Sequence, residues 1–95
     1  MKGSEVVRAH LVIRGLVQGV GFRAFAQKAA RQNHLTGWVK NIPSGGVECE
    51  VQGPSGVIEG FVEVVKQGPS FSRVDSVEVN WKGVTLEECE FQVRY

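Results

Sequence analysis

The sequence predicts an α+β sandwich in which two helices cover one face of a mostly antiparallel sheet. Three observations predict it: strands whose apolar residues alternate, two segments with apolar residues at helical spacing, and the order in which these follow one another. That order, βαββαβ with one additional C-terminal strand, is typical of ferredoxin-like folds. The chain, residues 1–95, is expected to form a single domain.

The first strand and the first helix flank a glycine-rich segment. Residues 7–14 place apolar side chains on one face and polar ones on the other, which predicts a half-buried strand. Residues 15–21 hold three glycines and break the pattern. From Phe22 the apolar residues recur at i, i+4, i+7 and i+8, which predicts a helix over 22–32. Asn33 is expected to end this helix in the left-handed conformation.

The middle of the chain predicts a hairpin followed by a second helix. Residues 35–41 and 47–51 alternate as strands, and the segment 43–46 between them has the composition of a turn. A second amphipathic helix is expected to follow Ser55, a candidate N-cap, and to end at 68–69.

The last strands complete the sheet and place one polar residue beside the glycine-rich segment. Residues 77–81 and 91–95 alternate, with a polar loop over 82–90 between them. In a split βαβ unit the first two strands are parallel and the third lies between them, so their C-terminal ends share one edge. Asn41 should therefore lie at the edge that carries the segment 15–21, on the helix side of the sheet.

Composition excludes several classes of protein. Charged residues make up 22% and the net charge is +1, so no basic footprint for nucleic acid is visible. No apolar run has the length of a membrane helix, and no signal peptide is apparent, so we expect a cytoplasmic protein without a membrane partner. Cys49 and Cys89 are too few for a disulfide framework, and whether they are bridged cannot be deduced from the sequence.

The segment 15–23 carries the strongest chemical signal, and it reads GLVQGVGFR. Gly19 and Gly21 allow backbone conformations in which successive amides converge on an anion, and the helix N-terminus adds favourable potential. Arg23 lies in the first helical turn, where a cation opposes the dipole unless an anion is near. A tight turn with a solvated arginine is the alternative interpretation.

These motifs resemble those of acylphosphatases. The resemblance is carried by VQGVGFR at 17–23, GWVKN at 37–41, QGP at 52–54 and again at 67–69, and FQVRY at 91–95. It implies a metal-independent enzyme, without a cofactor, that hydrolyses acyl phosphates to a carboxylate and inorganic phosphate. Phosphate would be both product and inhibitor. Independently of the resemblance, we expect a monomer without a nucleic-acid partner.

The resemblance also implies a role for individual residues. The phosphate would be bound by the backbone loop and its arginine, which here are Gln18, Gly19, Val20, Gly21, Phe22 and Arg23. Asn41 would orient the attacking water, which suits a side chain that can both donate and accept a hydrogen bond. On composition alone, Asn41 is instead interpreted as a turn-forming residue before Pro43.

The sequence departs from the family pattern around the site. Leu16 stands where an arginine is common, which removes a charge near the mouth of the site. Ser44 and Gly46 predict a more mobile hairpin tip. Ile42 replaces a polar residue of some relatives, so no water contact is expected from it.

A non-catalytic ligand-binding or RNA-binding module of the same architecture is the alternative function. RNA binding would need exposed aromatic residues on the central strands, whereas the predicted open face carries Glu48 and Glu50. His10 and His34 lack zinc-site spacing and are expected to be solvated. Cys49 is expected to be a buried, inert thiol.

Overall fold

The computed structural model describes residues 2–86 and 90–94. A 3₁₀ turn at Lys2–Ser4 precedes the regular elements. These are β1 (Val6–Leu16), α1 (Phe22–Gln32), β2 (Thr36–Asn41), β3 (Val47–Pro54), α2 (Ser55–Gln67), β4 (Arg73–Lys82) and β5 (Phe91–Arg94). This order confirms the predicted α+β architecture with its additional C-terminal strand.

The five strands form one sheet in the order β4-β1-β3-β2-β5. β3 lies antiparallel between β1 and β2, β4 is antiparallel to β1, and β5 is parallel to β2. β1 and β2 therefore run in the same direction, as predicted, and their C-terminal ends lie at one edge of the sheet. That edge carries both Asn41 and the loop that leads into α1.

The core lies between the helices and one face of the sheet. α1 and α2 bury most of the apolar residues that their spacing predicted, namely Phe22, Ala26, Ala30, Ile58, Phe61, Val62 and Val65, whereas the predicted Ala29 is only half-buried. The sheet contributes alternating residues, among them Ala9, Leu11, Ile13, Val39, Val47, Cys49, Val51 and Phe91. Within the described chain, no helix is long and apolar enough to cross a bilayer.

Two predicted helix caps differ from the observed ones. α1 ends at Gln32 as predicted, but its C-cap Asn33 has φ −108°, and the left-handed residue is His34, with φ 57°. His34 is exposed, as expected. Ser55 is the first residue of α2 and not its N-cap, because the extended Pro54 before it takes the cap position. Proline fits at this position because the N-terminal end of a helix requires no hydrogen bond from the backbone N–H that proline lacks.

β4 begins at Arg73, four residues before the predicted start. The pairing of β1 with β4 shifts register between Arg14 and Gly15, and beyond that shift Leu16 still pairs with Arg73.

β5 ends at Arg94, and Tyr95 lies outside the described residues, as does Cys89. Cys49 is a buried free cysteine.

The face of the sheet opposite the helices carries a network of paired charges. Arg8 Nε donates to Glu50 Oε1 at 2.7 Å and Lys82 Nζ donates to Glu50 Oε2 at 2.7 Å. Arg8 and Glu50 are only 4% and 8% exposed. Burial disfavours the ionised Glu50, but these hydrogen bonds and charges outweigh it and lower the pKa of the carboxyl. The pairing joins strands β1, β3 and β4.

A second charged cluster lies beside the first and corrects the prediction for His10. His10 Nε2 lies 2.8 Å from Glu48 Oε2, and its ring centroid lies 6.4 Å from that of Trp38. Lys40 Nζ is 3.4 Å from Glu48 Oε1. The hydrogen bond to His10 and the charge of Lys40 lower the pKa of Glu48 against the opposing effect of burial. His10 is therefore paired rather than solvated, because the β1–β3 register places it diagonally from Glu48.

Candidate active site

The loop between β1 and α1 has the backbone conformation that its glycines predicted. Gly19 has φ 77° and Gly21 has φ 76°, both in the left-handed region. Gly21 is the N-cap residue of α1, and the first turn of this helix contains no acidic residue. The first amides of a helix have no intrahelical acceptor, so this helix terminus offers N–H donors and positive potential.

A cavity of about 550 Å³ opens next to this loop. Its lining comes from the loop, α1 and the ends of the neighbouring strands, and consists of Val17, Gly19, Gly21, Phe22, Arg23, Ala24, Gln27, Arg31, Asn41, Gln92 and Val93. The fold therefore brings Asn41 to the same cavity as the loop and Arg23, although about twenty residues of chain separate them. The cavity leaves room for more than a phosphate group.

Arg23 projects from the first turn of α1 and is held from the side of β5. Its Nη1 donates to the backbone carbonyl oxygen of Arg94 at 3.4 Å. The Arg94 guanidinium in turn lies 4.9 Å from the centroid of the Trp38 ring. A cation at a helix N-terminus opposes the dipole, so Arg23 and the helix together concentrate positive potential in the cavity. An anion of tetrahedral geometry suits that potential.

Asn41 is the last residue of β2 and is half-buried. It pairs with Val47 of β3, so the sheet register fixes its backbone. The turn begins beyond it: Ile42 N donates to Gly46 O at 2.8 Å, and Gly45 N donates to Ile42 O at 2.9 Å. The interpretation of Asn41 as a turn-forming residue is therefore wrong, and the residue lines the cavity instead.

Two residues of the predicted phosphate loop do not line the cavity. Val20 packs against the core. Gln18 is half-buried, and its Nε2 donates to the backbone carbonyl oxygens of Ile42 and Gly46 at 2.7 and 2.8 Å. The side chain of Gln18 thus contacts the hairpin turn.

Three polar residues of the cavity were missed by the sequence analysis. Gln27 and Arg31 follow Arg23 at i+4 and i+8, so they share one face of α1. Gln27 Nε2 and Arg31 Nε both donate to the carbonyl oxygen of Phe91, at 3.4 and 3.1 Å. The third is Gln92 of β5. The helical spacing was visible in the sequence, but the parallel pairing that brings β5 to α1 was not.

The other candidate side chains take no part in this cavity. Cys49 is fully buried, and burial raises the pKa of its thiol far above the ordinary range, as expected for an inert cysteine. No cluster of three or more potential metal ligands occurs among residues 2–86 and 90–94. Leu16 is 54% exposed at the end of β1 and does not line the cavity.

Comparison with known proteins gives one consistent result. Residues 9–93 match the sequence profile of the acylphosphatase family. The acylphosphatase of Clostridium beijerinckii is 40% identical over 90 residues, which are 95% of this chain and 100% of that protein. The acylphosphatase of Thermus thermophilus is 49% identical over 70 residues, 74% of this chain and 80% of that protein.

Solved structures agree with the sequence matches. The crystal structure of acylphosphatase from Bacillus subtilis superposes with a TM-score of 0.90 at 38% identity and covers 94% of this chain and 99% of that one. A full-length HypF structure in the phosphate- and nucleotide-bound form matches 96% of this chain with a TM-score of 0.84 and 32% identity. The match covers 12% of the HypF chain.

Proposed function

This chain belongs to the acylphosphatase family, and we propose that the 18–23 loop and Asn41 carry out its reaction. The reaction is the hydrolysis of an acyl phosphate to a carboxylate and inorganic phosphate. The observation that supports the assignment is the shared cavity, which is lined by Gly19, Gly21, Arg23 and Asn41. The two glycines lie in the loop after β1, Arg23 lies in the first turn of α1, and Asn41 lies at the end of β2. All four therefore lie at one edge of the sheet.

The loop and Arg23 bind the phosphate group of the substrate. Backbone N–H groups between Gln18 and Arg23 donate to the phosphate oxygens, and the two left-handed glycines direct these amides. Arg23 adds a charged, bidentate donor. Both interactions exist in the ground state, where they provide affinity, and they raise kcat because they strengthen in the transition state.

Asn41 orients the attacking water. Its carboxamide can accept a hydrogen bond from the water and donate another, which fixes the direction of the water's lone pair. A carboxylate in the same place would repel the phosphate. The carboxylate product is a good leaving group, so positioning and electrostatic stabilisation supply most of the catalysis.

Three further properties belong to the same proposal. The reaction needs no metal ion, because the charge on the phosphate is balanced by Arg23 and the helix terminus. The protein acts as a monomer. We place it in the cytoplasm, where Cys49 and Cys89 stay reduced.

Two alanine variants separate the roles of the two principal residues. Arg23→Ala is expected to weaken phosphate binding and to slow turnover. Asn41→Ala is expected to leave the phosphate Kd nearly unchanged and to lower kcat by about 10²–10³, the usual effect of removing one preorganised polar contact. The measurements are phosphate Kd by calorimetry and kcat on benzoyl phosphate.

Matched controls come from the exposed residues Arg14 and Asn80, which lie outside the cavity lining. Arg14→Ala and Asn80→Ala should leave both quantities unchanged. Loss of phosphate binding in Asn41→Ala with an unchanged kcat would show that the roles are assigned wrongly. Phosphate binding without any hydrolysis by the wild-type protein would favour the non-catalytic binding module.

A further inference from the structure

Gln18 belongs to the glycine-rich loop, yet its side chain contacts a different part of the site. It lies outside the cavity lining. Its half-buried carboxamide contacts the turn between β2 and β3, where Nε2 donates to Ile42 O at 2.7 Å and to Gly46 O at 2.8 Å. Both N–H groups of the carboxamide are therefore used on one turn.

The turn is closed by its own backbone and does not need Gln18 to form. Ile42 N donates to Gly46 O, and Gly45 N donates to Ile42 O. Each carbonyl oxygen has two acceptor positions, so the bonds from Gln18 occupy the second position on each oxygen. What Gln18 adds is a direct link between the phosphate loop and the turn.

We propose that the side chain of Gln18 is a positioning residue that holds Asn41 in register with the phosphate loop. Asn41 immediately precedes Ile42, so a bond to Ile42 O restrains the strand end that carries the water-orienting carboxamide. The inference rests on the proposed role of Asn41. It assigns Gln18 a function in turnover and none in contact with the phosphate.

The residue type fits this role. A glutamine offers two donors on one uncharged atom, which suits two carbonyl oxygens on either side of a turn. A glutamate of the same length has no donor when ionised and would repel both carbonyls. A methionine has nearly the same length and shape but no donor, so Gln18→Met removes the link with little change in packing.

The test compares Gln18→Met in two backgrounds. In the wild-type background, kcat on benzoyl phosphate should fall about tenfold or more, since displacement of about 1 Å in a catalytic group can cost 10²-fold. The phosphate Kd should stay within about twofold, because the loop amides and Arg23 remain in place. In the Asn41→Ala background, Gln18→Met should cause no further fall, because the residue through which it acts is gone.

Two results would overturn the inference. One is the same fold-loss of kcat in both backgrounds, which a general structural effect would produce. The other is a weakened phosphate Kd, which would mean that Gln18 supports the loop instead. An unchanged kcat in Asn41→Ala alone would instead refute the proposed function.

A matched control and a second variant complete the design. Gln52 Nε2 donates to Thr85 O at 2.7 Å, and Gln52 pairs with Thr36 at the start of β2, away from Asn41. Gln52→Met should therefore leave kcat unchanged. If Gln18→Met fails to fold, Gln18→Glu decides. Its kcat relative to wild type should rise as the pH falls, because the protonated carboxyl regains one donor, and a flat ratio would overturn the inference.

Discussion

Gly19 and Gly21 hold the loop in a conformation that an L-residue with a β-carbon rarely adopts. A β-carbon built at either position has no atom within 4 Å, so the conformation alone and not a clash would oppose a substitution. We expect Gly19→Ala and Gly21→Ala to lose about 1–2 kcal/mol of unfolding free energy. At least one of them should also bind phosphate more weakly. Chemical denaturation and calorimetry measure both effects.

Gly60 provides the control for this prediction. It lies within α2, its β-carbon would also meet no atom within 4 Å, and its φ is not positive. Gly60→Ala should therefore stabilise the protein by about 0.5–1 kcal/mol and leave phosphate affinity unchanged. Unchanged stability and affinity in both loop variants would mean that the loop needs no left-handed residue.

At the level of residues, the sequence predicted backbone roles better than side-chain contacts. The glycine spacing before a helix start was sufficient to predict the left-handed positions and Arg23 in the first turn. Gln18 gave no such signal, because its partners are carbonyl oxygens 24 and 28 residues away. Hydrogen bonds to distant backbone atoms leave no periodic pattern in a sequence.

Glu50 joins the strands β1, β3 and β4, so its substitution should destabilise the sheet. Glu50→Gln would remove the carboxylate charge that Arg8 Nε contacts at 2.7 Å, and loss of one partner of a buried pair typically costs about 3–5 kcal/mol. The pKa of Glu50 is lower in the folded protein than in the unfolded chain. The ionised carboxylate therefore contributes its full stabilisation above the pKa of the unfolded chain, and this stabilisation is lost as the pH falls through the pKa of the folded protein. Chemical denaturation at pH 7 should show a much lower unfolding free energy for Glu50→Gln than for the wild-type protein. This difference in unfolding free energy should become smaller below about pH 4.5.

Glu63 is the matched control, since its pair with Lys66 lies on an exposed face of α2. Glu63→Gln should change the unfolding free energy by less than about 1 kcal/mol, as is usual for surface ion pairs. A similarly small effect for Glu50→Gln would show that the buried network contributes little to stability.

The elements themselves were predictable where one face is buried. α1 has the predicted bounds because its apolar residues recur at helical spacing. β4 was predicted to start at Val77, because Arg73, Asp75 and Ser76 are polar. They lie on an edge strand whose outer hydrogen-bonding side has no neighbouring strand among the described elements, and such strands tolerate polar residues. The contacts of Arg8 and Lys82 with Glu50 depend on which residues of β1, β3 and β4 lie opposite one another. The sequence pattern alone did not predict this register.

For the molecule as a whole, the sharpest expectation concerns metal ions. The described residues contain no cluster of potential metal ligands, and the proposed mechanism assigns the balance of phosphate charge to Arg23 and α1. Hydrolysis of benzoyl phosphate should therefore continue at an unchanged rate after exhaustive chelation. Loss of activity with recovery on addition of magnesium would contradict the mechanism.

The interior position of β1 in the sheet has a consequence for biosynthesis. β1 lies between β3 and β4, and its last hydrogen-bonding partner, Lys82, is translated long after Leu16. At typical elongation rates of 5–20 residues per second, the ribosome takes roughly 3–13 s to cover that interval. Throughout it the side of β1 that pairs with β4 has no native partner strand. The native sheet can therefore form only after both β4 and β5 have left the exit tunnel.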